Sequence, residues 1–544
     1  MKKLLLLLVI TSFSLTAQIN VGKISLDFGE TTSEKDGEII IIAGEKNGNI
    51  YALARRKKDF YSQTFDATTK NLKSSTRLDF DKINGGKLLV EDLAFIGDKL
   101  YLMLSYFDKK NKTYNFIAKE IQKNTIVRTI YLLSAKVDNR SNKGTFVFTK
   151  SYDNFNYLVA HVGLDDRKNQ LKYSVKLFDD RLAKVFDDSY INIFNKKNNH
   201  LFDFSDVQVN EHGDVLIATT ESYRDKKKKT NINNITIHSY LANRNYEQEL
   251  TKITLTGKRA VNCSLIETKD NTLHAIGFYS NLKKNGKAKI TVEGIYDIAF
   301  DYEKGKVIKK NFNDFTLEIK KQLIGERRAK KGKDLEPYYT NIAFVERDNG
   351  GVIVLSEFKL IFESGSSGFG PLSVTSYSYN TNEIIVTALN KDGTLDWSNV
   401  IPKEQRAIVS EVGLSIFGGV SSGGASVSAS AYFPLAVISK GPEFLSAVPI
   451  YHNGKLTVIV NDDPKNIGIT KMDDVKKVKN INKMIPVAFT FDEQTGAISR
   501  IDPKNFEKKQ IVLRPFVIFE KSSKNYLIYG GNKKGNAIGE LKLN

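Results

Sequence analysis

Short runs with an apolar residue at every second position recur along almost the whole chain, separated by turn-forming residues. Side chains of an extended segment alternate between two faces, so each run reads as a strand, and the recurrence constrains the whole fold. The clearest unit lies between 338 and 405. Segment 340–347 (TNIAFVER) leads through Asp348-Asn349-Gly350-Gly351 into 352–358 (VIVLSEF). After a long polar loop come 383–389 (EIIVTAL), the turn Asn390-Lys391-Asp392-Gly393 and 394–400 (TLDWSNV). Asn, Asp and Gly tolerate the positive φ that tight hairpins need. Four antiparallel strands whose inner members are the most apolar cannot bury both faces alone. Stacking such sheets radially about an axis buries both, and that arrangement is a β-propeller.

Comparable quartets of strands occupy 38–80, 88–133, 145–193, 202–255, 262–312 and 444–501. The last unit holds only three strands, at 516–520, 525–529 and 536–543, while 22–28 (GKISLDF) has no partner nearby in sequence. Pairing that orphan strand with the final three closes a ring and removes two sheet edges. The expected fold is therefore all-β, a single propeller of eight four-stranded blades over 18–544. Seven blades is the alternative, if one long repeat has been split. Two insertions, 313–336 and 406–442, interrupt the regular spacing.

The chain starts Met1-Lys2-Lys3, continues with the apolar stretch 4–10, and reaches a small-residue region ending at Ala17. This order is that of a secretory signal peptide, 1–17, cleaved after Ala17. The apolar stretch is too short to span a bilayer, so the chain reads as exported but not as an integral membrane protein. One cysteine, Cys263, in 544 residues excludes an internal disulfide framework and reads as a small buried hydrophobe. A net charge of +19 points to an anionic neighbour, a protein or an envelope polymer, and export makes nucleic acid an unsuitable partner.

In an antiparallel blade, the turns between strands one and two and between strands three and four share one face of the ring. Loops between strands two and three, and the links to the next blade, share the other. That second face carries the lysines. Its loops include 55–58 (RRKK), 108–112 (DKKNK), 165–168 (DDRK), 283–287 (KKNGK), 532–534 (NKK) and the run Lys226, Lys227, Lys228 and Lys229. The insertion 313–336 shows a helical apolar stripe at Phe315, Leu317, Ile319, Leu323 and Ile324, followed by Arg327, Arg328, Lys330 and Lys331. The insertion 406–442 is uncharged from Val412 to Ser439 and carries Phe417, Tyr432 and Phe433. The loop 364–382 of the sixth unit is also uncharged, with Phe369, Tyr377 and Tyr379, and the two neutral stretches are expected to be neighbours. Basic loops and neutral patch together are the candidate partner-binding residues. The competing readings are that lysine is the default polar residue here, and that the insertion plugs the channel or packs on itself.

Reactive constellations were sought in the sequence. The six histidines form no metal-type pair, and His161 and His274 fall inside second strands, where core positions are expected. The pairs Asp179-Asp180 and Asp462-Asp463 lie at turns and lack the ordered oxygen ligands of a calcium site. There is no GxSxG elbow, P-loop or HExxH, and no residue earns a catalytic or cofactor-binding label.

Segments 338–347 and 383–389, Asp392-Gly393, Trp397 and 401–405 (IPKEQ), together with 461–466 (NDDPKN), carry a resemblance. Over 338–501 the chain resembles secreted β-propeller-like proteins of Bacteroidota. The resemblance implies a Gram-negative envelope protein, periplasmic or associated with the outer membrane, and brings no established activity. The functional expectation is a non-enzymatic binding or scaffold propeller. The alternative is a hydrolase or lyase acting on an anionic glycan, with acids at the channel mouth.

Overall fold

The computed structural model describes residues 17–544 except 81, 166–168, 194–199, 368–373, 413–420, 423–424, 428–440, 479, 507–509 and 533–534. Among these the strands form eight sheets, one per blade, whose blade strands pair antiparallel. Blade 1 holds Glu38–Lys46, Asn49–Arg56, Asp59–Asp66 and Leu72–Arg77. Blade 2 holds Leu89–Ile96, Lys99–Asp108, Thr113–Gln122 and Thr125–Lys136. Blade 3 follows with Thr145–Lys150, Tyr157–Asp165, Gln170–Phe178 and Lys184–Ile193. Blade 4 comprises Leu201–Val209, Val215–Asp225, Thr230–Tyr240 and Gln248–Thr254. In blade 5 the first strand is interrupted, as Lys258–Ala260 and Ser264–Glu267, before Leu273–Asn281, Gly294–Asp301 and Lys306–Asp314. Blade 6 is Tyr339–Glu346, Val352–Ser367, Val374–Leu389 and Leu395–Ile401, and blade 7 is Ala447–His452, Lys455–Asp462, Ile485–Phe491 and Ile498–Ile501. Blade 8 takes Val512–Ser522, Asn525–Asn532 and Gly535–Leu543 from the C-terminus.

Alternation within single strands explains the ring. Val352 and Val354 face a core shared with blade 5, whereas Ile353 and Leu355 face one shared with blade 7. Val215 and Ile217 likewise pack toward blade 3, and Leu216 and Ala218 toward blade 5. Successive side chains of a strand point to opposite faces, so both faces of each sheet are buried. Eight apolar clusters result, one at each boundary between neighbouring blades, including the boundary between blades 8 and 1.

The ring closes through the N-terminus. Ile24–Phe28 pairs with Gly535–Leu543, from Ile24 opposite Leu543 to Phe28 opposite Gly539. The closing strand is not solitary, as the sequence reading had it. Ala17–Val21 pairs with it through a turn at Gly22, whose φ is +61°, and gives blade 8 a fifth strand. Glu540, on the closing C-terminal strand, gathers Lys542 at 3.0 Å, Lys521 at 3.1 Å and Lys70 at 3.7 Å.

The elaborations depart most from expectation. Segments 359–367 and 374–381 are not loop: the second and third strands of blade 6 run on as a ribbon from Lys359 opposite Thr381 to Ser367 opposite Val374. Tyr and Thr alternating with Ser suit a pleated surface, but their polarity hides the period in the sequence. Gln405–Val412 adds a third strand, pairing Ala407 with Tyr379 and Val409 with Tyr377. Among the described residues the two neutral stretches meet only where Val412 lies opposite Val374, and most of 412–439 lies outside the described residues. Further along the same insertion, Ala425–Val427 pairs in parallel with Phe202, Asp203 and Phe204 on the axis side of blade 4. The expected helix in 313–336 is two short ones, Leu317–Ile324 and Glu326–Lys330, broken at Gly325 (φ +79°). No helix among the described residues is long and apolar enough to cross a membrane.

A buried polar lock joins ribbon to ring. Lys403 Nζ lies 2.8 Å from Glu357 Oε1, both side chains are at most 1% exposed, and the ammonium also donates to the Thr381 carbonyl at 2.9 Å. Ser446 Oγ donates to Glu357, and Gln405 Nε2 donates to the Asn461 carbonyl at 2.6 Å. Asp462 does not sit solvated at a turn. It is buried, 2.8 Å from Arg500 and accepting from Asn466. The IPKEQ and NDDPKN segments therefore hold each other.

Two outcomes test these contacts. Lys403→Met strands a buried Glu357 carboxylate and is expected to cost about 3–5 kcal/mol in chemical unfolding. Adding Glu357→Leu restores much of that loss, and a single variant as stable as the parent would sink the lock. At Glu540, burial opposes ionisation but is outweighed by hydrogen bonds from Lys542, Asn525 and Lys521, holding the carboxyl at about 2. Its stabilisation is complete above the ordinary value near 4.5 and is lost as pH falls through about 2. Glu540→Gln should cost about 1–2 kcal/mol at neutral pH, after allowance for solvent screening, and shrink the acid-side loss of stability measured by urea titration. An unchanged acid limb would refute the assignment.

Candidate functional site

The blade 6 ribbon and the helical insertion lie on the face that carries the strand-two-to-three loops. Lys226, Lys227, Lys228 and Lys229 form the tip of the blade 4 hairpin and are fully solvent-facing. Asp225 organises that tip by accepting the Lys227 and Lys228 backbone N–H groups at 2.9 and 3.0 Å, which holds its carboxyl below the usual range. The hairpin is fastened to the next blade. Arg224 donates to the carbonyls of Gly286 at 2.8 Å and Asn285 at 3.2 Å, and the Asn231 N–H also reaches Gly286 at 2.8 Å. Gly286 has φ +70°, and a Cβ there would meet the Lys229 carbonyl at 2.6 Å, so the close approach needs glycine.

Lys283, Lys284 and Lys287 stand exposed on this adjoining loop. Its continuation pairs Val292 with Leu335, and Lys289 shares Asp334 with Lys320 at 3.4 and 3.2 Å. That contact anchors the end of the helical insertion, where Arg327, Arg328, Lys330 and Lys331 are exposed. Thr316 caps the first helix by accepting the Ile319 N–H at 3.3 Å, and Phe315 and Ile319 are buried beneath. The two basic groups read from the sequence are thus the ends of one arc across blades 4, 5 and the link to blade 6.

On the short-turn face, some cations are engaged across turns and blades, Lys46 with Asp98 at 2.6 Å, Lys309 with Asp392 at 2.7 Å, Lys304 with Asp301 at 2.8 Å and Lys391 with Asp270 at 2.9 Å, while Lys123, Lys455 and Lys524 stand exposed at other turns. On the arc, Lys330 pairs with Glu326 at 2.7 Å. Among the described residues, no carboxylate lies within ion-pairing distance of Lys226, Lys227, Lys228, Lys229, Lys283, Lys284, Lys287, Arg327, Arg328 or Lys331.

The neutral patch fares differently. Tyr377 and Tyr379 are 7% and 0% exposed and pack with Ala407, Val409, Leu445, Val478, Met484 and Val512. They cannot meet a partner, because the ribbon turns these rings down onto blades 7 and 8. Its outer surface instead shows Phe362 and Ile408, which the sequence reading did not single out. They alternate with inward residues, a signal usable only once 359–367 and 374–381 are read as strand. Phe369, Phe417, Tyr432 and Phe433 lie outside the described residues.

The remaining candidates are structural. Trp397 donates to the Glu493 carbonyl at 2.8 Å and stacks on Phe491. Cys263 is buried, its thiol pushed up to about 12 by burial. His274 is buried against Asp297 at 2.9 Å, and His161 holds the Lys143 carbonyl at 2.7 Å. Burial depresses His161 to about 4, so it is neutral at physiological pH. Two carboxyls are raised to about 6 by desolvation, Asp92 and Asp206, at matching irregularities in the first strands of blades 2 and 4. Asp206 accepts the N–H groups of Val207 and of Leu265 in the next blade, both at 2.8 Å. No cluster of three or more metal-ligating side chains occurs among the described residues.

No protein-family model matches the chain, and no curated protein matches it. Among solved structures it is similar to the WD40 domain of SCAP from fission yeast, at 8% identity over 96% of this chain and 98% of that one, with a TM-score of 0.35. It is also similar to the Dos1 propeller, at 9% identity over 95% of each chain, with a TM-score of 0.40. The same holds for oligopeptidase B from Leishmania major, at 9% identity over 92% of this chain and 54% of that one, with a TM-score of 0.37. With scores this low, the eight-bladed propeller assignment stands on the strand order and the eight inter-blade cores.

Proposed function

We propose that this chain is a non-enzymatic docking propeller of a bacterial cell envelope, binding an acidic protein or anionic envelope polymer through its basic arc. One observation carries the reading: Lys226–Lys229, Lys283, Lys284, Lys287, Arg327, Arg328 and Lys331 are gathered on one arc, on loops fastened to each other by Arg224, with no carboxylate within ion-pairing distance among the described residues. Charge without a partner is costly to gather on one side, and it favours an anionic surface brought from outside. The basic–apolar–small order of residues 1–17 supports export.

The experiment is a mild-detergent pull-down of the tagged protein from its native envelope at low and high salt. A stoichiometric partner is expected, released by salt. It should be retained at least tenfold less by the variant with Lys226, Lys227, Lys228 and Lys229 all changed to Glu. Retention that is indifferent to both salt and charge reversal would refute docking through the arc.

A second reading, hydrolysis or elimination on an anionic glycan, draws on the raised carboxyls of Asp92 and Asp206. The backbone hydrogen bonds to Asp206 describe a clamp between blades rather than an acid facing substrate. Asp92→Asn is therefore expected to leave partner retention unchanged. Turnover of an anionic glycan panel by the parent, abolished in this variant, would decide for the enzyme.

A further inference from the structure

A cavity of about 500 Å³ opens on the loop-bearing face, away from the basic arc, between the loop elements flanking blade 2. Lys87, Lys109, Lys112, Arg140 and Lys143 line it, with Asp138 as the one carboxylate among the lining residues. We infer that this cavity is a binding site for a small polyanion, a molecule carrying two or more carboxylate or phosphate groups.

The site is built rather than incidental. The Val137 N–H donates to the Lys112 carbonyl at 2.9 Å, tying the loop that carries Arg140 and Lys143 to the blade 2 hairpin tip. Asn139 folds that loop by accepting the Ser141 hydroxyl at 2.6 Å and the Asn142 N–H at 2.9 Å. Asp108 does the same for the hairpin tip, accepting from Asn111 and, at 2.7 Å, from Asn84 of the loop bearing Lys87. Gly86 forms part of the wall. A Cβ there would meet the Phe107 carbonyl at 2.4 Å, so the backbone lies flat against the strand and leaves the space open.

Lys143 sits deepest in its contacts. Its Nζ donates to the Tyr114 hydroxyl at 2.6 Å and lies 3.8 Å from the centre of that ring. Tyr114 is hydrogen-bonded at 2.9 Å to Ser105, which donates to Glu91. His161 fixes the Lys143 backbone through its carbonyl, and Gly144, at φ +77°, lets the chain turn there. Burial pushes the Lys143 ammonium down to about 8, with Glu91 opposing and Arg140 reinforcing the shift. A bound anion relieves that cost. None of the five cations has a carboxylate within 4.0 Å among the described residues. The volume falls in the range of small-molecule sites, and the excess of positive charge selects the ligand class.

The test uses the mature full chain and three probes, citrate, inorganic pyrophosphate and trigalacturonate, by isothermal titration calorimetry at low salt. Saturable one-to-one binding of at least one probe is expected, and the probe that binds distinguishes carboxylate, phosphate and uronate sources. Arg140→Ala and Lys112→Ala, both at exposed positions, should each weaken it about tenfold or more with unchanged melting of the unliganded protein. The fourfold Lys226–Lys229 charge reversal should leave it intact, which separates this site from the docking arc. No saturable heat from any probe up to about 10 mM, or equal affinity in the Arg140 and Lys112 variants, would overturn the assignment.

Discussion

Burial of both faces of every sheet is the constraint on which the rest of this molecule depends. A strand such as 352–355, with Val352 and Val354 turned one way and Ile353 and Leu355 the other, has no solvent side. Each sheet therefore needs two neighbours, and an open row would leave an apolar face at each end. Closure through Ile24–Phe28 satisfies the terminal blade and also covers the edge of Gly535–Leu543. Glu540 and its lysines then sit where the two chain ends meet, so an electrostatic contact reinforces a junction that hydrophobic burial already demands.

That geometry also sorts charge. Short turns on one face bring neighbouring blades close, and Lys309–Asp392 and Lys391–Asp270 bridge blades 5 and 6 there. On the other face the tip 226–229 and the loop 283–287 carry exposed lysines with no carboxylate within ion-pairing distance among the described residues. Fastening by Arg224 and Gly286 holds the loops in place without neutralising them, which is a different use of charge from stapling.

The strand units, their turns and the ring closure were legible because period-two alternation and Asn/Asp-Gly turns are local signals. The ribbon was not, since the Ser and Thr residues flanking Tyr377 and Tyr379 read as loop until pairing with Gln405–Val412 is known. The fifth strand of blade 8 was missed because it adjoins the signal-like segment. Of the candidate site, the basic loops were visible as composition, but their junction through 283–289 depends on a tertiary contact between blades. The burial of Tyr377 and Tyr379 likewise follows from where the ribbon lands, not from their spacing.

Lysine makes the same point within one residue type. Lys403 and Lys226 look alike in sequence, yet one is enclosed with Glu357 and the other stands in solvent. Burial pushes the Lys403 ammonium down while Glu357 pulls it up, so the pair must be kept together or removed together. At Lys226 no such penalty exists, and substitution is free to alter binding without altering the fold. Lys143 lies between these extremes: half-buried, hydrogen-bonded to a tyrosine, and turned into a cavity with four other cations. A cation that is partly desolvated but not ion-paired gains more from an incoming anion than either a buried pair or a solvated tip. Lys403, Lys226 and Lys143 thus show three uses of one side chain: one holds the fold, one faces solvent and one lines a recess.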